Sequence, residues 1–393
     1  MSFKLGDYKL KKEEMSLIKL MELKAKNMWK WVISLSQWIP WYDMPEWLKK
    51  SLCDYTNISE AKDYTLSQGI LELREKMVEL YNPKYKSNFS SNEVLITSWA
   101  IEWISSLLLT LITKPSDEVL MFEPTYASYD NIIKIAWAKH VGCPLNNKFW
   151  INFKKFKESI NENTRAIVLV NPNNPTWTSI DLKDVEKILK YIKWKNIYLI
   201  TDEVYNYFLF DKEKWKDFSH LRLFDKYKKH LVIINSWSKS FWITGWRIWY
   251  MIANKYLIKQ VLKVHDSLVT CAPSHSQYAI MQNLDILFKY SKKINKSLEK
   301  RRDFVVEELS KMKKYIDFEI PTGSYYIFPK FKYTKGDYRE CMRILDKVKL
   351  SLVPGSTFWK WWKWHFRICY GRDMKDLKIW LNRLKKYFEE NRR

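Results

Sequence analysis

Along the chain, short apolar runs rich in valine, isoleucine and leucine alternate with stretches whose apolar residues recur every three or four positions. The short runs lie at 94–97, 118–121, 164–170, 197–201, 231–234 and 248–252, each beside a polar or turn-rich segment. Runs of four to seven residues fit strands buried on both faces, and their alternation with amphipathic helices predicts an α/β fold with a mostly parallel central sheet. From about Asp285 the pattern changes to a long charged helix, then GSYYIFP at 323–329, then a final helix. The expected organisation is therefore a large domain over 46–284, a smaller α+β domain over 285–393, and a segment 1–45 packing with the smaller one. Parallel sheets bind ligands at the carboxyl ends of their strands, so the residues just after each run are the candidate chemistry.

Composition narrows the class. The 393 residues are 47% hydrophobic and 28% charged, which excludes a disordered or collagen-like chain and leaves ample length for a buried core. Lys+Arg 68 against Asp+Glu 44 gives +24, a balance that would suit an anionic partner. The basic residues are interleaved with glutamates, as at 293–302 and 385–393, the pattern of solvated helix faces, so neither nucleic acid nor a membrane is expected as a partner. A non-catalytic, basic nucleic-acid-binding protein is the remote alternative, and it would need clustered rather than dispersed charge. Cys53, Cys143, Cys271, Cys341 and Cys369 are odd in number and lack CxxC spacing, which points to no disulfide framework, no metal site and a reducing cytoplasm. The start, MSFKLGDYKLKKEE, has no apolar leader core, and the most apolar stretch, 107–112, is too short to span a bilayer. Two counts are abnormal: Gly is 8 and Trp is 21. An average composition of about 7% glycine would give about 28.

Chemistry concentrates after the third, fourth and fifth runs, in NPNNPTWTS at 171–179, TDEVY at 201–205 and NSWSKSFWITGWRIWY at 235–250. A lysine amine is the side chain that condenses with an aldehyde, and Lys239 sits in a Ser-rich turn just past a buried strand. Ser236, Ser238 and Arg247 around it would make a phosphate cup, because hydroxyls donate and a guanidinium donates two parallel bonds. Asp202 follows an apolar run, where a carboxylate is costly without a cationic partner.

These segments resemble the class I and II aminotransferases, the fold-type-I family of pyridoxal-phosphate enzymes, with patterns NPxNPTG, D-x-x-Y and S-x-S-K-x-x-x-x-x-G-x-R-x-G. The resemblance runs from ISLSQWIP at 33–40 to HFRICYG at 365–371. It implies that Lys239 is the catalytic lysine, holding pyridoxal 5'-phosphate and moving the substrate Cα proton, and that Asp202 pairs with the protonated pyridine nitrogen. Tyr205 and Asn174 match the donors to the ring 3-oxygen, and Tyr126 in EPTYASY matches the aromatic stacked on the ring. Trp99, Ala100 and Ile101, in LITSWAIEWISS, stand at the helix start that binds phosphate through backbone N–H groups. Tyr64, in DYTLSQGILELRE, matches a tyrosine that reaches the phosphate of the neighbouring subunit, implying a homodimer with shared active sites. Arg367 matches the arginine that grips the substrate α-carboxylate, beside Asn174 and Trp38. The implied activity moves an amino group from an L-amino acid (aspartate, aromatic or similar) to a 2-oxo acid such as 2-oxoglutarate, by a ping-pong mechanism. A β-carbon–sulfur lyase on the same scaffold is the alternative. His265, His275 and His365 lack ligand-like spacing and read as ordinary histidines.

The departures from the family pattern are nearly all of one kind. Trp38, Trp99, Trp177, Trp242, Trp249 and Trp359 stand where the family has glycine, and FWKWWKWH at 358–365 would read FGKGGKGH. Those are places of positive φ or close backbone approach. A gene that reads UGA as glycine, translated with a table that reads it as tryptophan, would produce this pattern. Trp246, beside a correctly written Gly245, is expected to be a true tryptophan.

Overall fold

A computed structural model describes residues 17–28, 32–36, 43–126, 128–210, 218–334, 336–358 and 362–391. Trp38 and Trp359 lie outside the described residues. The apolar runs form six strands of a seven-stranded sheet: β1 (Val94–Thr97), β2 (Glu118–Glu123), β4 (Thr164–Val170), β5 (Tyr198–Asp202), β6 (Leu231–Ser236) and β7 (Trp249–Ile252). The seventh, β3 (Lys139–Pro144), takes the edge. Its sequence, KHVGCP, hides only Cys143 fully, so it carries too little apolar signal to be read as a strand. Spatial order is β1-β7-β6-β5-β4-β2-β3, parallel except for β7, which runs against both neighbours.

Alternate residues on each central strand enter separate cores. Leu95, Val119, Met121, Val168, Ile200 and Val232 pack on one face of the sheet, while Ile96, Leu120, Ile167, Leu199, Leu231 and Ile233 pack on the other. Burial on both faces is why these strands read as continuous apolar runs. Helices cover both sides, as the apolar face of Leu182–Ile192 illustrates: Val185, Ile188, Leu189 and Ile192 recur at three- and four-residue spacing and are buried.

The 37-residue helix Ser274–Ser310 runs through position 285, and beyond it comes a smaller α+β unit. There Phe366–Cys369 pairs antiparallel with Tyr326–Ile327 and Val353–Pro354, beside helices Asp337–Val348 and Met374–Asn391. The N-terminal segment joins that unit, since Ile33–Ser34 pairs in parallel with Leu350–Ser351. The fold is thus the mostly parallel α/β sheet with a smaller α+β part that the hydrophobic pattern predicts. Among the described residues no helix is long and apolar enough to cross a membrane, and no group of side chains could hold a metal ion.

Candidate active site

The carboxyl ends of β4, β5 and β6 bring the predicted residues together. Lys239 lies in a single helical turn, Trp237–Ser240, directly after β6, and Ser236 caps that turn by accepting the Lys239 N–H at 3.3 Å. Burial, with Arg247 and Arg367 nearby, lowers the Lys239 amine to about 8. An amine so shifted is uncharged in about a tenth of the molecules at pH 7, far more often than an ordinary lysine, and the uncharged form is the nucleophile and base. Ser238 donates to the Ile248 carbonyl at 3.1 Å and accepts the Ile248 N–H at 2.9 Å. Its hydroxyl therefore ties the lysine turn to the start of β7.

Asp202 ends β5 and is buried. Burial pushes its carboxyl up to about 6, against the hydrogen bonds from Tyr129 and Val204. The Tyr129 hydroxyl donates to Oδ2 and the Val204 N–H to Oδ1. Tyr129 also meets Tyr126 edge-on, with ring centroids 5.7 Å apart. Tyr205 is buried three residues beyond Asp202, and burial raises its phenol well above the ordinary value.

Arg367, near enough to act on the Lys239 amine, donates through Nη1 to Asn174 Oδ1 at 3.0 Å and through Nη2 to the Ser36 carbonyl at 2.8 Å. The guanidinium lies 4.0 Å above the Tyr326 ring, while its Nε is buried without a hydrogen-bond partner. Arg247 donates to the Thr244 carbonyl at 2.6 Å, and its guanidinium faces the Trp99 ring at 4.8 Å. Trp99 is the N-cap residue of helix Ala100–Leu111, whose first turn contains Ala100 and Ile101. Tyr64 stands apart from this cluster, 86% exposed.

A second layer beneath the site escaped sequence reasoning. Glu203 is fully buried and accepts from Ser219 Oγ and the His220 N–H, both at 2.7 Å, with His220 Nδ1 also 2.7 Å away. Asn171 accepts the Ile180 N–H through Oδ1 and turns Nδ2 to the Ile180 carbonyl and to His220 Nε2. That amide orientation makes Nε2 an acceptor, which places the imidazole proton on Nδ1, 2.7 Å from Glu203 Oε1. The chain Glu203–His220–Asn171 thereby joins the end of β5 to the loop carrying Asn174. Glu203 is adjacent to Asp202 in sequence, and that adjacency was the only signal for it. His265, read as ordinary, pairs its Nδ1 with Glu102 Oε1 at 2.8 Å.

Of the tryptophans at family glycine positions, Trp177 and Trp242 have left-handed backbones, φ +60° and +61°. Trp99 does not: its φ of −153° is extended backbone that any residue adopts. A left-handed backbone therefore marks neither Trp99, whose indole covers Arg247, nor Trp249, which opens strand β7.

The side chains fit pyridoxal phosphate. A buried carboxylate that accepts from Tyr129 and the Val204 N–H suits a cationic ring N–H, a lysine amine lowered to about 8 lies within its electrostatic reach, and a buried guanidinium suits an anionic substrate group. The family model for aminotransferase class I and II matches residues 32–384. The aspartate aminotransferase of Thermotoga maritima is 32% identical over 359 residues, 88% of this chain and 90% of that protein. A probable N-acetyl-LL-diaminopimelate aminotransferase of Bacillus subtilis is 31% identical over 334 residues, 84% of this chain and 82% of that protein. The crystal structure of an aspartate aminotransferase from Thermotoga maritima superposes with a TM-score of 0.86 at 28% identity, covering 96% of this chain and 98% of that one. The motifs at the strand ends, the sheet that presents them and these likenesses agree, and the chain belongs to the class I and II aminotransferases, pyridoxal-phosphate-dependent enzymes of fold type I.

Proposed function

We propose that this aminotransferase takes its amino group from aspartate, an aromatic or a similar L-amino acid and delivers it to a 2-oxo acid, 2-oxoglutarate being the expected acceptor. The observation that carries the reading is the buried cluster of Lys239, Asp202 and Arg367, close enough that Arg367 and Asp202 both act on the charge of the Lys239 amine. Arg367, steered by Asn174 and stacked on Tyr326, grips the substrate α-carboxylate through its free edge. Lys239 Nζ, lowered by burial, removes the Cα proton and returns it on the other side of the transfer. When bound, pyridoxal phosphate supplies the aldehyde that accepts the amino group and the ring that takes up the electrons. Asp202 would keep the ring nitrogen protonated, Tyr205 and Asn174 would donate to the ring oxygen, and Tyr126 would cover the ring. Arg247, Ser236 and the backbone of Trp99, Ala100 and Ile101 would hold the phosphate, with Ser238 bracing the turn through Ile248. Amino donor and acceptor use one site in turn, so ping-pong kinetics follow.

Tyr64 stays 86% exposed in the single chain, which suits a side chain that reaches the phosphate of a second copy and supports a homodimer with shared sites. The domain limits 1–45, 46–284 and 285–393 belong to the same proposal, supported by the pairing of Ile33–Ser34 with Leu350–Ser351, and so does a cytoplasmic location. A panel of amino donors with 2-oxoglutarate tests the reading. Transfer from an acidic or aromatic donor, abolished by Lys239→Ala, is the expected result. Release of pyruvate and ammonia from cystathionine without an acceptor would replace it with the lyase.

A further inference from the structure

Among the described residues, nine that are not glycine have φ between +53° and +67°, and three of them are tryptophans: Trp137, Trp177 and Trp242. With 21 tryptophans in 393 residues, chance would put about half a tryptophan in such a set of nine. The hydrogen bonds show what kind of place each is. After helix Ser128–Ile135, the Trp137 N–H donates to the Lys134 carbonyl and the Ala138 N–H to the Ile133 carbonyl, at 3.0 and 3.1 Å. After the lysine turn, the Trp242 N–H donates to the Lys239 carbonyl and the Ile243 N–H to the Ser238 carbonyl, at 3.2 and 3.0 Å. Both pairs form the Schellman end of a helix, whose left-handed residue is usually glycine because a Cβ is strained there. At Trp177 the N–H reaches back four residues to the Asn173 carbonyl at 2.9 Å, the simpler left-handed end. Lysine occupies the same conformation at Lys86 and Lys349, so the backbone tolerates a side chain, and the case rests on one residue type recurring.

The side chain of Trp177 adds an independent observation. Its indole is fully buried, yet Nε1 has no hydrogen-bond partner, an unfavourable state for a donor. The ring meets Tyr205 edge-on at 4.6 Å and stacks on Tyr326 at 5.1 Å. It thus fills the space between the tyrosine assigned to the cofactor ring and the platform of Arg367. The Trp137 indole, by contrast, is 61% exposed, and its position is unusual only in backbone.

We infer that the working form of this protein carries glycine at 137, 177 and 242, and that residue 177 decides whether the cleft between Tyr205, Tyr326 and Arg367 opens. A UGA codon read as glycine in the source cell and as tryptophan in translation accounts for one exchange recurring at unrelated turns. The statement about the cleft rests on the function proposed above; the statement about the backbone does not. Thermal unfolding of the full chain with Trp137→Gly and Trp242→Gly, each beside its alanine counterpart, tests the backbone. Glycine is expected to raise Tm by ~3 °C over alanine at each site, and equal values or a more stable tryptophan would overturn that half. Absorbance titration with pyridoxal phosphate tests the cleft: Trp177→Gly should tighten binding at least ~10-fold, while Trp137→Gly leaves it unchanged. Equal affinity in the tryptophan-bearing chain overturns the cleft half. Gains in Tm with no cofactor bound by any variant would uphold the backbone inference and defeat the proposed function instead. Peptide masses of protein from the source cell decide the identities without any folding requirement: glycine at the three sites supports the inference, and tryptophan there refutes it.

Discussion

At the scale of single residues, the site is readable where a charge has no structural reason to be where it is. Lys239, Asp202, Arg247 and Arg367 each stand near a strand end, and the structure gathers them. Asp202 shows the energetic side of such a placement. Its carboxyl rises from 3.8 to about 6 on burial, so the folded state binds a proton more tightly than the unfolded chain. Stability is therefore lost as pH rises from about 4 through 6, by about 3 kcal/mol in total. Asp202→Asn should then stabilise the cofactor-free protein by up to about 3 kcal/mol at pH 7 and by little at pH 4, while abolishing transamination. Urea unfolding at the two pH values checks the difference, and equal effects at both would contradict the burial argument. Tyr129, which holds Asp202, was not legible. A tyrosine on the first turn of a helix reads equally well as packing, and only the hydrogen bond distinguishes it.

At the scale of elements, strands buried on both faces announced themselves, whereas the edge strand β3 did not. It is fastened to its surroundings by polar contacts: His140 lies 3.2 Å from Glu123 on β2 and 2.8 Å from Asp130 on helix Ser128–Ile135. Burial alone would lower the His140 pKa, but hydrogen bonds to Asp130 and Glu123 outweigh it and hold it at about 8. Lys134 also pairs with Asp130. A histidine raised from 6.5 to about 8 contributes stability that is complete below pH 6.5 and lost as pH climbs through 8, about 2 kcal/mol in all. His140→Gln should flatten the fall in unfolding free energy between pH 6 and 9. An unchanged slope would show that the imidazole is neutral throughout. Because the same helix presents Tyr129 to Asp202, loosening this corner is also expected to weaken cofactor retention above pH 8. The network Glu203–His220–Asn171 acts at this scale too. Its residues are far apart in sequence, and nothing in any one segment declares that they meet. Since it aims the loop of Asn174 and hence Arg367, His220→Leu should raise KM for the amino donor about 10-fold with a smaller loss of kcat. A fall in kcat at constant KM would speak against a role through Arg367.

At the scale of the whole molecule, the pattern showed a larger and a smaller part and the association of the N-terminal segment with the smaller one, but not the register that pairs Ile33–Ser34 with Leu350–Ser351, since two-residue strands carry no periodicity to read. Tyr64, 86% exposed in the single chain, carries the proposal that sites are shared between two copies, and that proposal makes a prediction that no single-chain property can meet. Subunit mixing tests it, using chains with glycine at 137, 177 and 242. Homodimers of Lys239→Ala lack the catalytic amine, and homodimers of Tyr64→Phe lose a phosphate donor at both sites, which limits activity at low cofactor concentration. In a mixed dimer, one site receives an intact Lys239 from the Tyr64→Phe chain and an intact Tyr64 from the Lys239→Ala chain. The other site carries both defects. Equal mixing makes half the dimers mixed, so about a quarter of wild-type activity should return after the subunits exchange. If Tyr64 served the site of its own chain, no mixed dimer would hold a complete site, and the mixture would only average its two parents.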